Sequence, residues 1–206
     1  MNRRTFLKAL TAAALLGGCA AGGTWAFLRQ VKFGALPAGE ALQRILASPH
    51  YADGTFHNMV PRAILSDDSS FILALLRSLV AKRVNPVPSQ YAPLRALERT
   101  QDTVLWLGHS SFFIQLGGRR ILIDPVFSPY AAPVSFSTQA FAGATPYSVH
   151  DMPDIDCLLI SHDHWDHLDY PTVMGLKPKI RNILCGLGVG AHFRRWGFPN
   201  SLIHEA

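Results

Sequence analysis

Six consecutive residues, His162-Asp163-His164-Trp165-Asp166-His167, hold four side chains suited to binding a metal ion. Neutral imidazole and carboxylate are ligands for zinc or a similar first-row ion. The apolar run Cys157 to Ile160 comes just before them. If Cys157 to Ser161 is a buried strand, its end delivers His162 and His164 to one side, because residues two apart share a face of extended chain. Asp166 and His167 then return from the following turn. Two ions held close together can share a bridging hydroxide that is nucleophilic at neutral pH. A histidine-rich surface loop, or a metal-scavenging patch without chemistry, is the competing reading; the spacing and the preceding strand favour a true metal site.

The elements that must position this cluster begin at Asp102. Thr103 to Leu107, Ser111 to Leu116 and Arg120 to Ile123 read as three strands of a β-meander, with Gly117-Gly118 as the second tight turn. Asp124-Pro125 ends the third strand. Val126 to Pro153 then runs on with four further prolines and no clear period; a loop of that length in a compact domain is functional or disordered, and here it is read as a substrate-facing lid. Asp156 to Ile160 is the next strand, Pro171 to Leu176 a short helix, Asn182 to Cys185 another strand and Gly190 to Trp196 the start of a helix. Strand, helix and strand in succession predict an α/β layered fold.

Upstream, Gly39 to Ala47 and Phe71 to Val80 read as helices, and Ser48 to Pro61 as a loop with a turn at Asp53-Gly54. Pro86, Pro88 and Pro93 mark Val84 to Arg99 as a connector between this arm and the metal-bearing domain. The domain reading is therefore a leader over 1–30, a helical arm and Pro-rich connector over 31–101, and a catalytic domain over 102–206. Cys157 and Cys185 lie in apolar strands and are expected as buried free thiols.

The leader carries an address. Arg3, Arg4 and Lys8 precede the small-residue apolar run Ala9 to Gly18, which is export-signal architecture. The paired arginines with Phe6, Leu7 and Lys8 resemble the twin-arginine signal, which implies the twin-arginine translocase as a partner. Leu16-Gly17-Gly18-Cys19 resembles a bacterial lipobox, in which Cys19 is lipidated; the alternative is an uncleaved anchor over Ala9 to Leu28. Both readings put the protein at a membrane of the bacterial envelope, periplasmic or outward-facing. The net charge of +5 comes largely from this leader: beyond residue 30 there are 15 basic and 14 acidic residues in a chain of 206. No basic stripe remains to neutralise phosphates, so nucleic acid is not an expected partner.

Residues 102–206 resemble the first half of a metallo-β-lactamase-fold hydrolase, on the signature His162-x-His164-x-Asp166-His167. Trp106-Leu107-Gly108-His109-Ser110-Ser111 and Ile123-Asp124-Pro125-Val126-Phe127-Ser128 are similar to the branch of N-acylphosphatidylethanolamine-hydrolysing phospholipase D and its bacterial lipoprotein relatives. Phe33-Gly34-x-x-Pro37-x-Gly39 and Ser48-Pro49 resemble the arm of those bacterial members. The resemblance implies an αβ/βα sandwich with a dinuclear site, usually zinc, with iron or manganese as further options. It implies that His162 and His164 hold the first ion, and that Asp166 and His167 hold the second. His109 and Asp124 are placed beside the site as supporting or catalytic groups, against the plainer readings of a satisfied histidine and a turn former. Asp163 is read as pointing away from the ligands, to hold backbone or a ligand, or to cap the loop. Arg194-Arg195-Trp196 reads as a solvated helix face with one buried ring, against a phosphate or lipid-headgroup contact.

The implied activity is hydrolysis of phosphodiesters or N-acyl phospholipids by a metal-bridging hydroxide. The alternatives are a lactonase of the same superfamily and a non-catalytic, truncated envelope lipoprotein. The family draws a further His, a bridging Asp and a last His from the second half of its sandwich. Here His192 and His204 are the only histidines after His167, and no Asp follows Asp169. The expectation is therefore that these residues are the first half of a longer domain.

Overall fold

The computed structural model describes residues 21–60, 86–133 and 139–206. Cys19, the twin-arginine stretch and the helix expected over Phe71 to Val80 lie outside them. Among the described residues no helix is long and apolar enough to cross a membrane.

The arm begins with helix α1 (Ala21–Leu28) and continues through a 3-10 turn (Val31–Phe33) into α2 (Glu40–Leu46). Ser48 to Pro61, expected as loop, contains a small antiparallel hairpin of β1 (Tyr51–Ala52) and β2 (Thr55–Phe56). Its two-residue connection has Asp53 at φ 51° and Gly54 at φ 78°. Positive φ at both central residues matches the turn to the twist of its strands, which is why Asp-Gly closes hairpins so often.

The main sheet has six strands in sequential order: β3 (Thr103–Gly108), β4 (Ser111–Leu116), β5 (Arg119–Ile123), β6 (Cys157–Ile160), β7 (Ile183–Cys185) and β8 (Ile203–Glu205). The first three pair antiparallel, and β5 through β8 pair parallel. Gly117 and Gly118, both at positive φ, close the β4–β5 hairpin. Helix α3 (Tyr170–Leu176) connects β6 to β7, and α4 (Gly190–Arg195) connects β7 to β8. This is the mixed α/β sheet expected from the sequence. Strand β8 carries only three residues, too short for period-2 alternation to show in the sequence.

Alternation along the strands separates two faces. Phe113, Leu122, Leu158, Ile160 and Ile183 are buried on one side and form the core with Leu168, Val173, Leu176 and Phe193. The residues between them, Val104, Trp106, Phe112, Leu116 and Leu184, are exposed on the other side, although they are equally apolar. Cys157 falls on that second face and is only half-buried, because Leu158 takes the inward register; Cys185 is buried as expected. Burial pushes the Cys185 thiol up to about 12.

The segment expected to be a connector is packed into the domain. Leu94 is fully buried in the core, Tyr91 stacks on Tyr147, and the Val87 N–H donates to the Ala142 carbonyl at 2.8 Å. The buried Arg120 explains the attraction: its Nε donates to Gln115 at 2.8 Å and its NH2 to the Leu97 carbonyl at 2.7 Å, while Gln115 donates to the Glu98 and Gln101 carbonyls. Those polar groups on the inner face need partners, and the backbone of residues 97–101 supplies them.

Glu205 performs the same service at the opposite sheet edge. Its Oε1 accepts from the Gly188 and Gly190 N–H groups at 2.9 and 3.0 Å, and its Oε2 from Arg194 at 2.8 Å. Arg44 of α2 reaches the Glu205 carbonyl at 3.0 Å. Burial opposes ionisation, but Arg194 and the two glycine N–H groups outweigh it and hold the carboxyl below its usual range. A depressed carboxylate stabilises the fold above its unfolded-state pKa, and that contribution is lost as pH falls through the folded value. Glu205→Gln is expected to cost about 1–3 kcal/mol at pH 7. Chemical denaturation of both proteins from pH 7 to pH 3 checks this: the difference should shrink at the acid end, and a difference independent of pH counts against the ionised strap.

Candidate metal centre

Strands β3, β5 and β6 run in the same direction, so their C-terminal ends lie at one edge of the sheet. His109 and Asp124 follow the first two ends directly, and Ser161 and then His162 follow the third. Crevices at the carboxyl ends of such strands are where α/β sheets place ligands, because the loops there are free to vary while the strands hold them.

His109 arrives through a strained turn. Gly108 has φ 106°, and a Cβ there would lie 2.1 Å from the Ala144 carbonyl oxygen, so only glycine lets the lid backbone come so close. His109 itself has φ 45°, and its carbonyl accepts a 2.7 Å hydrogen bond from Trp106 Nε1. The turn brings His109 Nε2 within 3.0 Å of Asp166 Oδ2. His109, Asp166 and His167 offer donor atoms that all lie within 4.8 Å of one another. His109 therefore touches the cluster directly.

Asp124 is buried and also adopts a positive φ, 42°. Its Oδ1 accepts from the Ser161 N–H at 2.8 Å; its Oδ2 meets the Ser161 hydroxyl at 2.5 Å and His167 Nδ1 at 2.9 Å. The Ser161 oxygen is in turn 2.9 Å from His162 Nδ1. The hydroxyl has one proton, which goes to the carboxylate, so His162 Nδ1–H donates to Ser161 and His167 Nδ1–H donates to Asp124. This assignment leaves the Nε2 lone pair of both rings for a metal. The centroids of His162 and His167 are 4.0 Å apart, and those of His162 and His164 are 4.3 Å apart.

Electrostatics favour neutral imidazole and ionised carboxylate. Burial, reinforced by the neighbouring His167 and His164, pushes His162 below its ordinary value; burial likewise lowers His164. Burial works against Asp166, but its backbone hydrogen bond, His167 and His109 prevail and hold it below the usual carboxylate range. The donor atoms of His109, Asp166 and His167 converge at the sheet edge, and the rings of His162 and His164 stand beside them, a set of imidazoles and a carboxylate that fits a zinc-type centre in its chemistry.

Asp163 lies 3.5 Å from the buried His192, and Trp165 is buried. Trp196 is buried as expected for α4, while Arg194 is taken by Glu205 and by Asn200 at 3.0 Å and Arg195 faces solvent. His204 is exposed on β8. Sequence reasoning passed over Ser161, whose only signal is its position ahead of the first histidine. It also passed over Asp169, buried and accepting from Ser128 and Thr172, which ties the root of the lid to α3. Burial raises the Asp169 carboxyl against those hydrogen bonds.

Both halves of the loop after Asp124, with residues 87–90, Trp106 and His109, line a cavity of about 570 Å³ that reaches Asp166. Val87, Pro88, Phe141, Ala144 and Pro146 contribute its apolar lining, and among the described lining residues His109 and Asp166 are the only titratable ones.

Residues 119–206 match the model of the β-lactamase superfamily domain. That stretch, 88 of the 206 residues, is where the chain resembles the β-lactamase superfamily. The chain is similar to an uncharacterized protein of Mycobacterium tuberculosis, 35% identical over 195 residues, which are 90% of this chain and 52% of that protein. An N-acyl-phosphatidylethanolamine-hydrolyzing phospholipase D of Caenorhabditis elegans is 37% identical over 79 residues, 37% of this chain and 22% of its own length. A UPF0173 metal-dependent hydrolase of Nitratidesulfovibrio vulgaris is 33% identical over 107 residues, 50% of this chain and 38% of its own. The chain spans about half the length of the mycobacterial relatives it matches.

Asp124→Asn keeps the size of the side chain but places a donor where two N–H or O–H groups need an acceptor. The expected result is a loss of about 10–100-fold in zinc affinity, read by competition with a chromogenic chelator. Unchanged affinity would remove Asp124 from any role in orienting His167.

Proposed function

We propose that the complete gene product is a metal-dependent hydrolase of phosphodiesters that bear a large apolar group, with N-acyl phospholipids as the leading class. The observation that carries this reading is the apolar cavity opening directly onto His109 and Asp166. A metal centre alone selects no substrate; a pocket whose described lining carries no ionic side chain beyond His109 and Asp166 favours an uncharged, apolar portion of one. The similarity to the phospholipase D of C. elegans supports the same class.

In this reading His162, His164, Asp166 and His167 hold one or two ions, zinc first, with iron or manganese as further options. When bound, the metal supplies a Lewis acid that acidifies water and withdraws charge from the phosphoryl oxygen. The protein's own groups do the rest. Asp124 and Ser161 fix the imidazoles so that their Nε2 atoms face the centre. His109, 3.0 Å from Asp166 and 56% exposed at its side chain, is placed to hand a proton to the departing alkoxide at the mouth of the cavity. The apolar walls hold the chain of the substrate and exclude water from it. Hydrolysis of the phosphodiester yields a phosphomonoester and an alcohol.

The envelope is the proposed location, supported by the basic, small-residue leader and Cys19, with lipid anchoring or an N-terminal helix as the attachment and twin-arginine export as the route. A substrate embedded in a bilayer suits an enzyme fixed beside one.

The test incubates the zinc-loaded complete gene product with vesicles containing N-acyl phosphatidylethanolamine and, separately, with a lactone. Release of N-acylethanolamine and phosphatidic acid is expected, and Asp166→Asn should lower the rate at least about 100-fold, the upper figure for loss of even a supporting partner. Cleavage of the lactone alone would replace the phospholipid reading with a lactonase. Turnover of neither, with zinc bound, would leave a non-catalytic envelope lipoprotein.

A further inference from the structure

Two residues of the cluster, Asp163 and Trp165, stand between the ligands in sequence, and the segment around Phe33 holds Trp165 directly and Asp163 through His192. Phe33 is buried and packs edge-on against Trp165, with ring centroids 5.7 Å apart and planes at 90°. Next to it, the Ala35 N–H donates to His192 Nδ1 at 3.2 Å, and His192 Nε2 faces Asp163 Oδ2 at 3.5 Å. Since Nδ1 accepts a hydrogen bond, it carries no proton, and the ring hydrogen sits on Nε2, toward the carboxylate. Gly34 lies between these contacts at φ 69°, and a Cβ on it would stand 1.9 Å from His192 Nδ1. The Val31 carbonyl accepts from Trp196 Nε1 at 2.8 Å, which fastens the start of the segment to α4.

We propose that Val31–Ala35 and His192 form a clamp on the metal loop, in which His192 is a positioning residue and not a metal ligand. The proposal rests on the reading of His162, His164, Asp166 and His167 as ligands, and adds that their geometry is set through the residues between them. Asp163 is drawn toward His192 and Trp165 toward Phe33. Asp163 stands between His162 and His164, whose ring centroids are 4.3 Å apart, and Trp165 lies in the turn closed by the His167 and Leu168 N–H groups on the His164 carbonyl, so holding those two side chains fixes the backbone that carries the ligands. The requirement for glycine follows from the same contact: the arm backbone reaches the imidazole only where no side chain intervenes. A buried histidine after the signature motif is thereby accounted for without a third ligand at that position.

The experiment compares His192→Leu, His192→Gln and Arg44→Met in the complete gene product. A glutamine can accept from Ala35 through Oε1 and donate toward Asp163 through Nε2, so it is the conservative replacement. Arg44 ties the arm to Glu205, away from the metal loop, and serves as a control for general loss of arm packing. Three quantities are measured: the dissociation constant for zinc, the visible absorption of the cobalt-substituted protein, and hydrogen exchange of residues 161–168 without metal. His192→Leu should weaken zinc binding about 10–100-fold, alter the cobalt spectrum and speed exchange in 161–168. His192→Gln should restore all three to within about threefold of the wild type, and Arg44→Met should leave them unchanged.

Equal effects from Arg44→Met and His192→Leu would overturn the clamp and assign the loss to stability alone. So would wild-type affinity, spectrum and exchange in His192→Leu. Should wild-type protein bind no metal, the ligand reading fails by itself, and the exchange rates still decide whether the clamp exists. Gly34→Ala gives a second approach if His192→Leu does not fold, with the same three readouts and the same direction expected.

Discussion

A carboxylate buried at the end of a sheet is costly unless it is hydrogen-bonded, and Asp124, whose two oxygens both accept, joins four parts of the structure through its side chain and backbone. Its backbone N–H donates to Leu159 of β6 at 3.0 Å, its carbonyl accepts from Ser111 of β4 at 2.8 Å, and its side chain takes the Ser161 N–H, the Ser161 hydroxyl and His167. These bonds fix the distance between β5 and the first turn of the metal loop. The left-handed backbone of Asp124 is what turns the carboxylate back toward β6, and the rigid Pro125 follows it. The orientation of two imidazoles depends on this one side chain, so the metal site inherits its geometry from the sheet.

The sheet divides the molecule into a packed face and an apolar face that is largely exposed. Helices α3 and α4 cover the first. The second presents Val104, Trp106, Phe112 and Leu116 in the meander and Leu184 farther along. Such a face is of the kind that sandwich folds close with another layer. Trp106 lies on this face and still serves the site, since its indole N–H holds the carbonyl of His109.

The arm and the loop after Asp124 each make a close backbone approach beside the site. Gly108 admits the Ala144 carbonyl and Gly34 admits the His192 ring. Each contact brings a distant segment against a turn that carries a ligand or sits beside one. The lid is anchored further by Asp169, which binds Ser128 to the N-terminal end of α3. The cavity is thus walled by segments whose positions are set from the same sheet edge as the metal donors.

The cluster of histidines and carboxylates, its spacing and the strand before it were legible in the sequence, because each depends on neighbours within a few residues. The meander was equally legible: alternation and a Gly-Gly turn are local properties. Strand β8 and the packing of residues 86–101 were not, since β8 is too short to alternate and Leu94 is buried only once Arg120 and Gln115 draw that backbone onto the sheet. His109 shows the division most plainly. Its residue type and place at a strand end were on the page from the start, yet only the positive φ at Gly108 and His109 decided that its ring reaches Asp166. Likewise the sequence contained Phe33, Gly34 and His192 without any sign that they meet. What a chain determines by itself is the chemistry and periodicity of short stretches; which distant stretches touch follows from buried polar groups finding partners and apolar faces finding cover, and those needs are met only in the folded whole.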